Sequence, residues 1–424
     1  MSTPASPCGY HLAVRVIETI PVAWSPYAVT FSHDGTRLAI GGGSWYGLGG
    51  ITLIDLRTRE RADLTMGPID PSLLTHKRKD VAQRSVSGLA FTADDRHLLV
   101  STWTSGVGQG AALAFEVDHL ELRQVAAYVS QEPLTGIVPH RAGAAVRVWR
   151  ENAHRTIGTV QWPADLRLAG PGRTELTSHR LAVVHGHGVT GDHGASDAER
   201  PGLLVKPFGS SSSSRFHEGD APITAIGHQG DALISGTATG TLASWRWEGS
   251  YPVLEHLIGR IETTREDPSA LWAIYQPAAV VGICVTADGG HAAITAGGTL
   301  ATWTLEGALE SYPLDVPGTA RTIAASPDRT LLAIGIKCGD RSSVLLVELA
   351  AEVLESAWKT PRARQVAASF DADRPLDPVT LSVLADALEE SGAAPGVLHH
   401  LRTHERRLCT CWVVDQLREV LPSR

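Results

Sequence analysis

Short apolar stretches separated by polar turns and glycine-rich loops recur along most of the chain. The segment 28–56 contains an apolar run, a polar turn, a second apolar run, a glycine-rich loop and a third apolar run. The same plan returns in four later segments, at 86–117, 223–247, 281–305 and 322–348. Short strands at this spacing, with turn residues between them, predict an all-β repeat protein.

The spacing of these copies points to two weaker ones. Using Phe31 as the marker, the equivalent positions are Phe91, Gly227, Val285 and Ala325, which lie 60, 136, 58 and 40 residues apart. The 136-residue interval holds two more sets of apolar runs, at 145–150 with 156–162 and at 180–184 with 202–207. We therefore predict seven units of four antiparallel strands, with an error of one.

The repeats resemble the WD-repeat type of β-propeller over residues 10 to 360. The resemblance rests on turns such as Ser32-His33-Asp34-Gly35 and on third strands that end in Trp149, Trp245 or Trp303. The family's Gly-His and Trp-Asp pairs are absent, so its buried Asp-His-Ser/Thr network cannot be carried over. The resemblance implies four-stranded blades arranged in a closed ring and held mainly by apolar packing.

A closed ring needs its last blade to be completed by an additional outer strand. The segment 10–20 precedes the first inner strand, and we expect it to supply that outer strand. The segment 352–358 competes for the same place.

After Pro361 the pattern becomes helical. Asp377 as N-cap, proline at the first helical position and Gly392 as C-terminal stop predict a helix over 377–390. Two shorter helices are expected at 395–402 and 411–420.

The sequences LADALEESG and CWVVDQL resemble the small helical repeat-companion domain found on repeat proteins in some bacteria. Thr410 stands where that motif has glycine. This resemblance implies a bacterial source and no mechanism. We predict a β-propeller over residues 1–361 and a helical module over residues 362–424.

Composition indicates a folded protein without a general attraction to polyanions. The 424 residues are 43% hydrophobic, and 37 basic against 45 acidic residues give a net charge of −8, which disfavours nucleic acid as a partner. No apolar run approaches the ~20 residues of a membrane helix, and no secretory signal is seen at the N-terminus. Five scattered cysteines do not suggest a disulfide framework. We expect a cytoplasmic monomer without a cofactor.

The long connections accumulate at one end of the predicted blades. Loops from second to third strands and loops from each outer strand to the next blade emerge at the same end, which we call the long-loop face. The long connections are at 41–50, 101–110, 185–202 and 337–342. They carry candidate partner-binding residues of the types that dominate protein interfaces, namely Trp45, Tyr46, Trp103 and Arg341. The alternative is that the aromatic side chains fold back over the blades.

The connection after Val184 contains a possible metal site. His185, His187, Asp192 and His193 could together supply four donors to zinc. The spacing departs from that of metallo-β-lactamase-like hydrolases, because Asp192 follows His187 by five residues rather than two. The glycines at 186, 188 and 191 match a dinucleotide fingerprint only formally, since no helix is predicted after them. We therefore favour polar loop histidines and predict no metal site.

Together these features predict a non-catalytic scaffold that binds a protein partner through the long-loop face. No Gly-x-Ser-x-Gly elbow or activated nucleophile is recognisable. Two alternatives stay open. One is a propeller hydrolase or lyase with a metal at the channel mouth, which requires inward Asp, Glu, His or Asn from several blades. The other is the ligand-sensing module of a bacterial stress or conflict system.

Overall fold

Nearly all regular structure in the described part of the chain is β-strand. The computed structural model describes residues 12–43, 49–67, 69, 72, 85–104, 109–140, 143–149, 155–162, 177–178, 181–184, 187–192, 202–207, 214–217, 221–229, 232–249, 251–263, 276–286, 290–303, 309–314, 316, 318–351, 360–369, 378–393, 398, 401 and 417. These residues form 28 strands and two helices.

The first half of the described chain contains 14 strands. They are β1 (Leu12–Val22), β2 (Ser25–Phe31), β3 (Arg37–Gly43), β4 (Gly49–Asp55), β5 (Arg61–Thr65), β6 (Ser85–Phe91), β7 (His97–Thr104), β8 (Gln109–Asp118), β9 (Glu121–Ser130), β10 (Leu134–His140), β11 (Gly143–Trp149), β12 (Arg155–Val160), β13 (Thr177–Ser178) and β14 (Leu181–Val184).

The second half contains 14 more strands. They are β15 (His187–Asp192), β16 (Gly202–Pro207), β17 (Ser214–His217), β18 (Ile223–Gln229), β19 (Ala232–Thr237), β20 (Thr241–Glu248), β21 (Tyr251–Arg260), β22 (Val280–Val285), β23 (His291–Thr295), β24 (Thr299–Trp303), β25 (Glu310–Pro313), β26 (Thr319–Ala325), β27 (Leu331–Cys338) and β28 (Arg341–Ala351).

The strands are grouped into sheets that follow the order of the chain. The sheets are β2–β5, β6–β9, β10–β12, β13–β17, β18–β21, β22–β25 and β26–β28 with β1. The inner strands β2, β6, β10, β14, β18, β22 and β26 contact one another in that order, and β26 contacts β2. The all-β propeller predicted from the repeats is therefore confirmed.

Among the described residues the number of blades with at least four strands is six and not seven, which is within the predicted error of one. The sheet β10–β12 has three strands. This sheet and the five-stranded sheet β13–β17 come from the two weakest copies, which were assigned from apolar runs alone. The two-residue strand β13 pairs with β14, so it extends the later sheet and not the earlier one. Apolar content predicts that a strand exists, but not which sheet it joins.

The last sheet is completed from the start of the chain, as predicted. Its strand order is β1, β28, β27, β26, so β1 takes the outer position. Ile20 and Val22 of β1 are buried in a cluster with Val344 and Leu346 of β28. The competing segment 352–358 lies outside the described residues.

Close packing between neighbouring sheets explains part of the glycine excess. A Cβ atom on Gly41 would lie 2.4 Å from a methyl carbon of Val86, in the next sheet. A Cβ on Gly236 would likewise lie 2.6 Å from Val280. Real Cβ atoms essentially never approach other atoms so closely, so glycine at these positions allows the sheets to pack.

Two helices, α1 (Pro361–Ala368) and α2 (Pro378–Glu389), follow the strands. Residue contacts place them in a compact unit separate from the one formed by Val16–Trp303 and Leu309–Glu348. Leu381, Leu384 and Leu388 of α2 are buried in the core of the helical unit. The helix predicted over 377–390 is confirmed, and Gly392 has the expected left-handed φ of 81°.

Three leucines lie in the segments of the two shorter predicted helices. Leu398, Leu401 and Leu417 are helical and buried in the core of the helical unit, and the rest of those segments lies outside the described residues. The resemblance to a repeat-companion domain and the boundary at residue 361 both stay predictions. In the described part of the chain, neither helix has the length and apolar character needed to cross a membrane.

Candidate functional site

Six inner strands share a β-bulge at the same position near their start. The pairing register between first and second strands shifts around a single extra residue in six sheets. We call these extra residues the bulge ring, and they are Tyr27, Ser87, Thr135, Thr224, Val281 and Arg321. Among the described inner strands, β14 pairs with its neighbour without such a shift. Bulges re-aim side chains and are common next to functional sites.

The bulge ring lies at the long-loop face. Because successive strands of each sheet run in opposite directions, the start of an inner strand lies at the same end as the connection from second to third strand. The inner strands contact their neighbours in ring order, so the six bulges lie at the same end of the ring. The fold therefore places one bulge residue from each of six inner strands at a common end of the sheets.

Two of the bulge hydroxyls join neighbouring sheets. Ser87 Oγ donates a hydrogen bond to the carbonyl oxygen of Leu134 at 2.5 Å, and Thr224 Oγ1 donates to the carbonyl oxygen of Val280 at 2.7 Å. Each acceptor is the residue just before the bulge of the next inner strand. These two side chains are buried and connect the inner strands to each other.

Thr135 occupies the equivalent position but faces a different neighbour. The next sheet has no bulge, and the Oγ1 atom of Thr135 is buried without a hydrogen-bond partner among the described residues. A buried hydroxyl without a partner costs free energy. Ser87 and Thr224, in contrast, each face a neighbouring inner strand that has its own bulge.

Tyr27 and Arg321 give the ring its distinctive chemistry. They are partly exposed and lie on the contacting inner strands β2 and β26. The ring thus combines a phenol and a guanidinium, carried by contacting inner strands, with small hydroxyl and aliphatic side chains. Tyrosine and arginine are the side-chain types enriched in the most important contacts of protein interfaces.

The structure positions some of the predicted partner-binding residues. Trp103 is partly buried near the end of β7, opposite Ser85, which lies two residues before the bulge residue Ser87. Arg341 is exposed at the first position of β28. Trp45 and Tyr46 lie outside the described residues. Binding of a partner by these four residues stays a prediction.

Two of the four predicted long connections are wrong. Cys338 and Arg341 pair with each other, so the segment 337–342 is a tight two-residue turn and not a long loop. The segment 185–202 is interrupted by β15, which pairs with β14 and β16. Both errors arose because glycine and polar residues were interpreted as loop, although backbone pairing does not require apolar side chains.

Strand β15 also separates the candidate metal ligands. His187 and Asp192 stand at its two ends, which at 3.3 Å per residue places their Cα atoms about 16 Å apart. This distance is too long for both residues to bind one ion. His185 and His193 lie outside the described residues. In the described ranges no group of three or more His, Cys, Asp or Glu could hold a metal, and the bulge ring contains no such residue.

At the opposite end of the sheets, which we call the turn face, three connections share one geometry. Ser32, Thr92 and Ser326 donate hydroxyl hydrogen bonds of 2.5–2.7 Å to a carboxylate two residues later. The residue after each carboxylate has a left-handed φ between 55° and 71°, and these residues are Gly35, Asp95 and Arg329. A polar side chain followed by a left-handed residue is a standard solution for a tight turn.

Asp95 connects two of these turns. Its carboxylate accepts hydrogen bonds from the backbone N–H groups of His33 at 2.7 Å and Asp34 at 2.9 Å. It also lies 2.9 Å from Nδ1 of His33. The side chain of Arg37 stacks over the ring of Phe91 from the same neighbouring sheet. The turn face is therefore held together by fixed polar contacts.

Two carboxylates of the turn face, Asp34 and Asp328, have a lowered pKa. Partial burial alone would raise the pKa of Asp34, but hydrogen bonds from Ser32 and Thr36 outweigh it and lower the pKa below its ordinary value. Asp328 shows the same balance, with burial opposed by hydrogen bonds from Ser326 and Thr330 and a lowered pKa as the result. Such groups stabilise turns and are poor general acids at neutral pH.

Comparisons with solved structures agree with this architecture. The beta-propeller domain of Myceliophteria thermophila Cps50 (Swd1) is 15% identical, with a TM-score of 0.54 over 80% of this chain and 100% of that chain. A chain in the crystal structure of the Mitotic Checkpoint Complex is 12% identical, with a TM-score of 0.51 over 82% of this chain and 96% of that chain. No family model and no curated protein matches the sequence. The protein has the fold of a WD-repeat-like β-propeller.

Proposed function

We propose that the chain is a non-catalytic scaffold that binds a protein partner at the long-loop face. The bulge ring is the observation that carries this proposal, because it places the bulges of six inner strands at one end of the sheets, where Tyr27 and Arg321 are partly exposed. We place the main contact at Tyr27 and Arg321, which neighbour each other in the ring and are partly exposed. Trp103 and Arg341 extend this surface, and a cytoplasmic location stays part of the proposal.

The chemistry of the site supports binding rather than catalysis. The six bulge residues include a phenol, a guanidinium, three hydroxyls and an aliphatic side chain, with no carboxylate or imidazole among them. The Nε and Nη1 atoms of Arg321 are buried, so its guanidinium contributes positive charge rather than paired hydrogen bonds with a partner, whereas a tyrosine ring contributes a large rigid contact area. We therefore expect the partner to present an acidic residue next to an apolar one.

The test is affinity purification of tagged protein from its own cells, with quantification of captured proteins. A Tyr27→Ala, Arg321→Ala double variant should retain less than a tenth of a partner that the unmodified protein captures. Arg321→Lys, which keeps the charge and most of the packing, should retain an intermediate amount. Arg57→Ala is the matched control, because Arg57 is exposed in the β4–β5 turn at the opposite end of the sheets.

Melting temperatures measured on the same samples separate lost binding from lost folding. Equal capture by the double variant and the unmodified protein would contradict the proposal. So would loss of the partner from Arg57→Ala, since that residue is remote from the bulge ring.

A further inference from the structure

The outer strand β21 exposes an unusual amount of apolar surface. Four of its side chains are large, apolar and exposed, with exposed fractions of 55% for Tyr251, 38% for Val253, 41% for Leu254 and 62% for Leu257. Residues 253–257 are exposed in succession, so both faces of the strand are open at this point. Contiguous exposed apolar surface is a common mark of an interaction site.

The strand also has a free edge. β21 is the last strand of its sheet, so one side of its backbone has no paired strand among the described residues. The outer strands of the neighbouring sheets, β17 and β25, have four residues each, whereas β21 has ten. The ring of Tyr251 lies 5.8 Å from the ring of Phe216 on β17, which extends the apolar surface. An exposed edge is a template for pairing with another strand.

The register of β21 suggests which strand could pair with it. Leu254 pairs with Trp245 and Leu257 pairs with Ala243, two residues apart on β20, and Glu255 is the extra residue of a bulge between them. Leu254 and Leu257 therefore direct their backbone groups the same way and share one face of the sheet. In an antiparallel pair, two residues that lie opposite each other must direct their backbone groups the same way and must share one face of the sheet.

We propose that two copies of this chain associate through antiparallel pairing of their β21 strands about a two-fold axis between Glu255 and His256. In this register Leu254 of one copy lies opposite Leu257 of the other, and the contact occurs twice. A two-fold interface is necessarily self-complementary in this way. The inference is independent of partner binding at the long-loop face and replaces the expectation of a monomer.

The charges near the axis agree with this register. Glu255 of each copy lies opposite His256 of the other, so an acceptor meets a donor and no like charges are opposed. The bulge at Glu255 would disrupt pairing with a regular strand. In the symmetric pair the segment 254–257 of one copy faces the same segment of the other, so the extra residue at Glu255 is matched on both sides. Ile258 is a second extra residue of β21 and lies outside this segment, so the proposed pairing is confined to residues 254–257. This property favours a second copy over an unrelated strand.

Sedimentation equilibrium of the full chain between 1 and 100 µM tests the proposal. The apparent mass should rise from 45.1 kDa toward about twice that value, 2 × 45.1 = 90.2 kDa, as the concentration increases. Leu257→Glu and Leu254→Glu should each raise the dimer dissociation constant at least tenfold, because they place carboxylates in the contact. Leu257 is 62% exposed, so its replacement should leave the melting temperature unchanged.

Val379→Glu provides the matched control, since Val379 is an equally apolar side chain with 70% exposure on α2. It should dimerise like the unmodified chain. The register is tested by a charge exchange, in which Glu255→Arg weakens the dimer and the double variant Glu255→Arg, His256→Glu restores it.

Three outcomes would overturn the proposal. They are a mass of 45.1 kDa at all concentrations, equal weakening by Val379→Glu, and a charge-exchange variant that dimerises no better than Glu255→Arg.

Discussion

Two buried tryptophans in equivalent positions have different hydrogen bonding. Trp245 donates from Nε1 to the hydroxyl of Ser235 at 2.9 Å. Trp303 occupies the same register position one sheet later, where Ala293 stands in place of the serine. The Nε1 atom of Trp303 is buried without a hydrogen-bond partner among the described residues. His291 stacks on its ring with the centroids 5.4 Å apart. The indole N–H of Trp245 is thus hydrogen-bonded, whereas that of Trp303 has no partner among the described residues.

Exchange of serine and alanine between these positions should change stability in opposite directions. Ser235→Ala leaves the Nε1 proton of Trp245 unpaired and should lower the free energy of unfolding by about 1–3 kcal/mol. Ala293→Ser gives Trp303 an acceptor and should raise it by about 0.5–1.5 kcal/mol. Urea unfolding followed by tryptophan fluorescence measures both. If Ser235→Ala instead raises the free energy of unfolding, the hydrogen bond makes no net contribution to stability.

The sequence pattern predicted part of this arrangement. It placed Trp245 and Trp303 at third strands, and the structure confirms both. It was wrong for Trp149, which ends the second strand of its sheet, β11. The hydrogen bond itself was not predictable from the pattern, because serine at position 235 is acceptable in any strand. Only the pairing register brings Ser235 and Trp245 together.

At the scale of the secondary-structure element, the inner strand is the unit that builds both core and site. Its central residues are buried between sheets, and its bulge residue lies near the start of the strand, where Ser87 and Thr224 reach the next inner strand. The hydroxyls of these two residues bind the neighbouring backbone. The bulge therefore joins neighbouring inner strands, and it also positions the residues that we propose to contact the partner.

Replacement of bulge threonines by valine should separate these roles. Thr224→Val removes the hydrogen bond to the Val280 carbonyl and should cost about 1–2 kcal/mol of stability. Thr135→Val removes a buried hydroxyl that has no partner, so stability should stay equal or increase. Thermal unfolding of the two variants, which carry the same chemical change, gives the comparison. If Thr224→Val and Thr135→Val lower the stability equally, the loss of the bulge hydrogen bond cannot be the cause.

Strands were more predictable than bulges or short helices. Alternating apolar runs identified every inner strand of the five clear copies. The bulge residues lie five positions before Ser32, Thr92, Thr286 and Ser326, so counting back from the turn would have located them. The residue types at these positions do not themselves predict a bulge, however. Helix α1 was missed because its apolar face is short, although Thr360 as N-cap and Pro361 at its start were visible.

At the scale of the whole molecule, ring closure depends on one strand. β1 occupies the outer position of the last sheet, where it buries Ile20 and Val22 against β28. Arg59, in the turn after β4, forms an ion pair of 3.0 Å with Glu18 of β1. The first and last sheets are therefore joined by packing and by charge through β1.

Removal of residues 1–22 should weaken the entire propeller rather than one sheet. The loss of two buried aliphatic side chains alone should cost roughly 3–6 kcal/mol. Urea unfolding of the truncated chain gives the measurement, and a synthetic peptide with the sequence of residues 12–22 should restore stability when added. A scrambled peptide serves as the control. Unchanged stability after truncation would show that β1 does not close the ring.

The propeller class and its closure were predictable from the sequence because they follow from repetition, which is visible in the residues themselves. The site was predictable only in outline. The pattern indicated the end of the sheets at which we propose that a partner binds. It did not identify Tyr27 or Arg321, since both lie inside strands that were interpreted as core.

The pairing of β1 with β28 also sets a minimum time for biosynthesis. Their first residues are separated by 341 − 12 = 329 positions. At roughly 5–20 residues per second, a ribosome needs about 16–66 s between the two strands. During that interval β1 is exposed without its final neighbour, as an apolar edge able to pair with other nascent chains. Correct folding in the cell should therefore depend on factors that shield the emerging strand β1.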